Sequence, residues 1–177
     1  MIKKRTAKVI ILTLVILITA ISYFVSDKKL SYYGKSDFAP HNLLPYGVKP
    51  EYWGYDRGML WFALLDEGEM TLIAKGNKYF TSDITVDSVL SYGFNDSVLV
   101  GLVLGKDSNK YYVVFKGDAD IRVIDYKEGI GSIATKLKWI DNVNNPPLNL
   151  IQIHRYSRLL LTLSSLFLII LLFIIAK

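Results

Sequence analysis

The sequence predicts a membrane protein with two transmembrane α-helices flanking a mostly antiparallel β domain of about six to eight short strands plus one short helix. Three observations predict it. Apolar residues are concentrated in an uncharged run near each end of the 177-residue chain. Between the runs, hydrophobic residues recur with a period near two, the spacing that sends alternate side chains to opposite faces of a strand. Short clusters of Gly, Asn and Asp, which favour tight reversals, punctuate that middle segment.

After a basic tail over residues 1–6, Ala7 to Val25 reads AKVIILTLVILITAISYFV, with Lys8 as its one flanking charge. Leu159 to Ala176, LLLTLSSLFLIILLFIIA, carries none. At about 1.5 Å of rise per residue, each helix is about as long as a hydrocarbon core is thick. Both runs are apolar all the way round, whereas a helix on a soluble surface shows a polar face. Ala20-Ile21-Ser22 has the small residues of a signal-peptidase site, but the apolar run continues through Tyr23, Phe24 and Val25. An uncleaved signal anchor is therefore the expectation. Thr162, Ser164 and Ser165 lie at the same expected depth as Thr19, Ala20 and Ser22. Small residues let helices approach closely, so Ala20, Ser164 and Ser165 are candidate helix-packing positions.

The chain has 21 Lys and Arg against 16 Asp and Glu, a net charge of +5. Setting aside Lys3, Lys4, Arg5, Lys8 and Lys177 leaves 16 basic groups against 16 acidic ones, all between the runs. The excess flanks the membrane and is no footprint for phosphate, so nucleic acid is not an expected partner. The basic residues of the N-terminal tail favour a cytoplasmic N-terminus. With Lys8 and Lys177 they make five, and Lys28, Lys29, Lys35, Arg155 and Arg158 oppose them in equal number on the other side. The first helix usually dominates, so both termini are expected in the cytoplasm and the middle domain outside it, at a plasma or bacterial inner membrane. With no cysteine, disulfides, thiolate metal sites and Cys-linked lipids are excluded.

Residues 26–50 read as a connector rich in Tyr, Pro and polar groups, and Tyr32, Tyr33 and Tyr156 suit a headgroup layer. The β domain is expected over 51–145. Met59 to Leu65 and Met70 to Ala74 flank Asp66-Glu67-Gly68-Glu69, and Val98 to Leu104 and Tyr111 to Phe115 flank Gly105-Lys106-Asp107-Ser108-Asn109. Both patterns predict hairpins. Ser132 to Trp139, with Ile133, Leu137 and Ile140 on one helical face, predicts the short helix. Residues 146–158 are expected to lead into the second span.

The stretch PEYWGYDRGMLW, from Pro50 to Trp61, is dense in aromatic rings. It predicts a strand over Tyr52 to Tyr55, a turn at Asp56-Arg57-Gly58 and a returning strand. Trp61 and Phe62 are expected in the core, with Tyr52 and Trp53 packing an edge. The sharper alternative makes Tyr52, Trp53 and Tyr55 a partner-binding strip, since Tyr and Trp anchor interfaces as well as strands.

Catalytic patterns are not evident. His41 and His154 are far apart, with no carboxylate at ligand spacing. Gly101, Gly105, Lys106 and Asp107 resemble a phosphate loop only superficially, because the first gap is short and the context is a hairpin. Asp66-Glu67-Gly68-Glu69 and Asp118-Ala119-Asp120 lack the spacing of a calcium loop. No catalytic, cofactor-binding or metal-binding residue is therefore expected. What remains is a membrane-anchored binding or scaffold module that meets another protein at the membrane surface, as an accessory subunit or an immunity-type protective factor. The alternatives are an envelope hydrolase built on carboxylates brought together by folding, and an oligomeric channel component.

Overall fold

The computed structural model describes residues 2–37, 44–55, 59–68, 71–79, 82–117 and 121–176. The chain divides into two compact units, a helical one (Met1–Lys29 with Pro147–Lys177) and a β one (Leu30–Pro146).

The helical unit pairs α1 (Ile2–Ser31) with α2 (Leu148–Ala176), both long and apolar. No Pro or Gly interrupts the chain between Val25 and Ser31, so α1 continues past the apolar run. Lys28 and Lys29 lie in its last turn, where the exposed carbonyls favour cations. The helix then stops at Gly34, whose φ of +65° only glycine adopts cheaply. α2 starts directly after Pro146-Pro147 and runs without a break into the second apolar run.

The β unit is two antiparallel sheets. The first orders β1 (Lys49–Tyr55), β2 (Met59–Leu65) and β3 (Thr71–Ala74) as β1-β2-β3. Trp53 pairs with Trp61, as the hairpin reading requires. Pro50 is tolerated because β1 is an edge. The second sheet orders β4 (Lys78–Tyr79), β5 (Ser82–Phe94), β6 (Leu99–Gly105), β7 (Lys110–Phe115) and β8 (Ile121–Asp125) in sequence, and β9 (Lys138–Ile140) pairs with β5. The main core fills the space between the sheets: Phe62 and Leu64 from β2, Ile73 from β3, Val86, Val89 and Tyr92 from β5, and Leu99 and Val103 from β6. Gly101 makes the close approach possible, since a Cβ there would meet Ile73 Cδ1 at 2.8 Å.

Two expectations need correction. The short helix expected over Ser132 to Trp139 is of the 3-10 type and ends at Lys136. A 3-10 turn spans Gly131–Lys136, and the chain then extends as β9, with Trp139 opposite Gly93. The indole covers that glycine so closely that a Cβ would lie 2.8 Å from the ring. Pairing with β5 offers Trp139 a fitted site, which outweighs a weak local helix preference. Ile133 and Leu137 do pack on the sheet, against Val100 and Val114 on its outer face. Trp61 is only half-buried, whereas Phe62 is 1 % exposed and stacks on Tyr92, with ring centroids 5.5 Å apart. Tyr32 joins the β unit. Its ring stacks on Phe94, and its carbonyl accepts the Tyr92 hydroxyl at 2.7 Å.

Two buried phenols make stability sensitive to alkali. Burial pushes the Tyr79 hydroxyl up to about 12, and burial raises that of Tyr92 as well. Below pH 10, both are neutral whether the chain is folded or not. Above it, the unfolded chain releases protons that the folded one keeps, so stability falls by about 1.4 kcal/mol per group per pH unit. Urea midpoints of the full chain are expected to drop between pH 10 and 12. Replacing both residues with Phe should flatten that drop, and an unchanged slope would mean that neither phenol is buried.

Candidate functional site

The β unit carries a cleft on β5 lined by both polar and apolar residues. The segment after β9, Asp141-Asn142-Val143-Asn144-Asn145, is fastened to that strand at two points. Val143, fully buried, donates its N–H to the Leu90 carbonyl at 3.3 Å. Asn144 donates through Nδ2 to the Val89 carbonyl at 2.8 Å, and its own carbonyl accepts the Tyr52 hydroxyl at 2.7 Å. The chain turns here instead of continuing as a strand, and Asp141, Asn142 and Asn145 are exposed. Asn142 holds a φ of +51°, a left-handed conformation that Asn tolerates better than most residues, and Asn145 N–H closes the turn onto its carbonyl at 2.7 Å. With Ser91, Leu102 and Lys110, these residues line a cleft of about 530 Å³.

A second hollow of about 200 Å³ adjoins it and shares Asn144. Trp61 lines this hollow together with Lys75, Asp87 and Ser88. Lys75 Nζ and Asp87 Oδ1 are 4.0 Å apart with both side chains about half exposed, a pair worth little to stability. Formal charges balance in both hollows, Lys110 against Asp141 and Lys75 against Asp87.

Of the aromatic strip, Tyr52 is committed inside the domain through its bond to Asn144, and Lys35 Nζ lies 4.1 Å from its ring centroid. For Trp53 and Tyr55 the backbone forms β1, but their side chains lie outside the described residues. The cleft residues escaped the sequence reading because β5, β7 and the segment after β9 supply them from distant positions. The asparagine run DNVNN was the available signal.

The helical unit contains a polar cluster that sequence reasoning also missed. His154 Nδ1 lies 3.2 Å from Ser26 Oγ, and His154 Nε2 lies 3.9 Å from Asp27 Oδ1. Tyr23 stacks on the imidazole, with centroids 4.8 Å apart. One turn along, Ser157 Oγ donates to Ser22 Oγ at 3.0 Å. Asp27 is 1 % exposed and Ser26 2 %. These are the group types of a serine hydrolase relay, but the geometry is that of a clamp. Ser26 Oγ donates to the Tyr23 carbonyl of its own helix at 2.9 Å, so its proton is engaged there and the contact with His154 ties the two helices. His154 does meet a carboxylate, contrary to the expectation from spacing, because folding brings Asp27 to it. His41 and Asp118-Ala119-Asp120 lie outside the described residues.

The contacts follow one antiparallel register, in which four residues back along α1 match three forward along α2. Ala20, Ser164 and Ser165 are half-buried, and Ser164 Oγ donates to the Leu160 carbonyl of its own helix at 2.6 Å.

At the β6–β7 turn, Asp107 accepts from the backbone N–H of Asn109 at 3.2 Å and from its Nδ2 at 2.9 Å, so the phosphate-loop lookalike is a self-bonded hairpin. Comparison with known proteins finds no matching family model, no matching curated protein and no matching solved structure.

Proposed function

We propose that this protein is a two-span membrane anchor presenting a β domain outside the cytoplasm, and that the domain works by binding at the membrane surface. The observation that carries this reading is the exposure of the two helices. Ile18 is 67 % exposed and Phe173 70 %, and Ile10, Leu14, Ile21, Phe24, Leu166 and Ile170 are about half exposed or more. Apolar side chains left in water cost about 25 cal/mol per Å², so this surface needs a covering. The spans of 25 and 27 residues are long enough for lipid to provide it. Lys28, Lys29, Arg155 and Tyr156 are exposed at one end of the pair, where headgroups would meet them.

Binding is supported by the cleft, whose exposed asparagine amides and one opposed charge pair lie beside Leu90 and Leu102, a mixed lining that suits recognition. The partner is another protein or a component of the cell surface.

Orientation rests on Lys3, Lys4, Arg5 and Lys8. A cysteine placed at Ser108, exposed in the β6–β7 turn, is expected to react with a membrane-impermeant thiol reagent added to intact cells, or to spheroplasts where an outer membrane intervenes. One at Lys3 is expected to stay unlabelled. The native chain has no cysteine, so there is no background. Labelling at position 3 alone would put the domain in the cytoplasm.

A further inference from the structure

We propose that the cleft on β5 binds a neutral, hydroxyl-rich chain, a short oligosaccharide, lying from Asn145 past Asn144 to Trp61. This rests on the reading of the domain as a binding module and names its ligand class.

Each asparagine amide presents both donors and an acceptor, and a sugar hydroxyl is likewise both. Asn142 and Asn145 are exposed and line the cleft, with the buried Ser91 and the leucines Leu90 and Leu102 beneath them. Charge does not favour an ionic ligand. Lys110 is offset by Asp141, and Lys75 by Asp87 at 4.0 Å, which leaves no net field to draw in a phosphate or a strongly charged peptide. Asn144 lines both hollows, so one chain of rings passing over it would reach polar groups of each. Trp61 lines the far end with an amphipathic ring, apolar on its face and polar at its N–H, which suits the C–H face of a pyranose. Asn144 is held by Val89 and Tyr52 before any ligand arrives, and the buried Val143 fixes its neighbours, so little ordering is left for binding.

An extended peptide adding to the sheet is the rival occupant, and the hydrogen bonds along β5 disfavour it. The Val86 carbonyl already accepts from Gly76, the Val89 carbonyl from Asn144, the Leu90 carbonyl from Val143, and Tyr92 to Phe94 pair with β9. Few ladder groups remain on that edge for an added strand.

The test uses the full chain in lipid nanodiscs, free of glycosidic detergent, titrated calorimetrically and by tryptophan fluorescence with chitotetraose, cellotetraose and maltotetraose. At least one is expected to bind saturably with a Kd below about 1 mM. Asn145→Ala and Trp61→Ala should each weaken that binding about tenfold or more. Asp96→Asn, in the exposed β5–β6 turn, should leave it unchanged. Absence of saturable binding up to about 10 mM, or binding indifferent to the cleft variants, overturns the proposal. A photo-cross-linking residue at position 145 in cells separates the two levels. Capture of a protein there, with no sugar bound, refutes the saccharide and leaves a binding module. Silence in both assays refutes both.

Discussion

Phe62→Ala is expected to unfold the β domain or to lower its melting point by roughly 15–25 °C, the equivalent of 3–5 kcal/mol in a domain of this size. The phenyl ring is 1 % exposed, stacks on Tyr92 at 5.5 Å and stands between the two sheets. Its removal leaves a cavity that β-sheets on both sides cannot collapse to fill. Trp61→Ala, one position earlier on the opposite face of β2, should cost about 1–2 kcal/mol, because a half-buried ring returns only part of its surface to water. Thermal melts of the two variants in the same nanodiscs decide the matter. Equal losses would mean that β2 is rotated from the register described, and a larger loss at Trp61 would exchange the roles of its two faces.

A cysteine pair at Ser22 and Ser157 is expected to form a disulfide nearly quantitatively under mild oxidation. Their hydroxyl oxygens are 3.0 Å apart and on facing helices, and no native cysteine competes. After proteolytic cleavage within the β domain, the two helix fragments should stay joined without reductant and separate with it. The pair at Thr13 and Ser157, more than two turns out of register, should not join. Efficient joining of that control would mean that the helices slide freely and that the His154, Ser26 and Ser22 contacts do not fix their pairing. Adding His154→Ala to the first pair should slow its oxidation severalfold, since the ring holds Ser26 and stacks on Tyr23.

Uncharged length made both helices legible in the sequence, and turn chemistry made the hairpins β1–β2 and β6–β7 legible. The interior of β2 was not. The run MLWFALL has no alternation to read, since Phe62 and Leu64 enter the main core while Ala63 and Leu65 are buried on the other face. The type and the end of the short helix were not legible for a related reason. Ile133 and Leu137 do meet the sheet, but a pattern of that length does not distinguish a helical turn from a turn followed by a strand. The helical clamp joins residues 128 positions apart, and the cleft gathers Ser91, Lys110 and Asn145 from three separate segments. No local spacing encodes either arrangement. The asparagines signalled a turn and gave no sign that β5 would lie beneath them.

The place of β9 has a consequence for biogenesis. β5, 13 residues long, is the hub of its sheet. Its partner β6 follows at once, whereas β9 arrives only after β7 and β8 have been made. During synthesis the hairpins form locally and early, but the outer edge at Tyr92, Gly93 and Phe94 stays open until Lys138 to Ile140 emerge. An open edge is a template for pairing with another chain. The nascent domain is therefore most prone to aggregation just before the second apolar helix is synthesised, and a ribosome stalled between β8 and β9 would leave a five-stranded sheet with an adhesive edge.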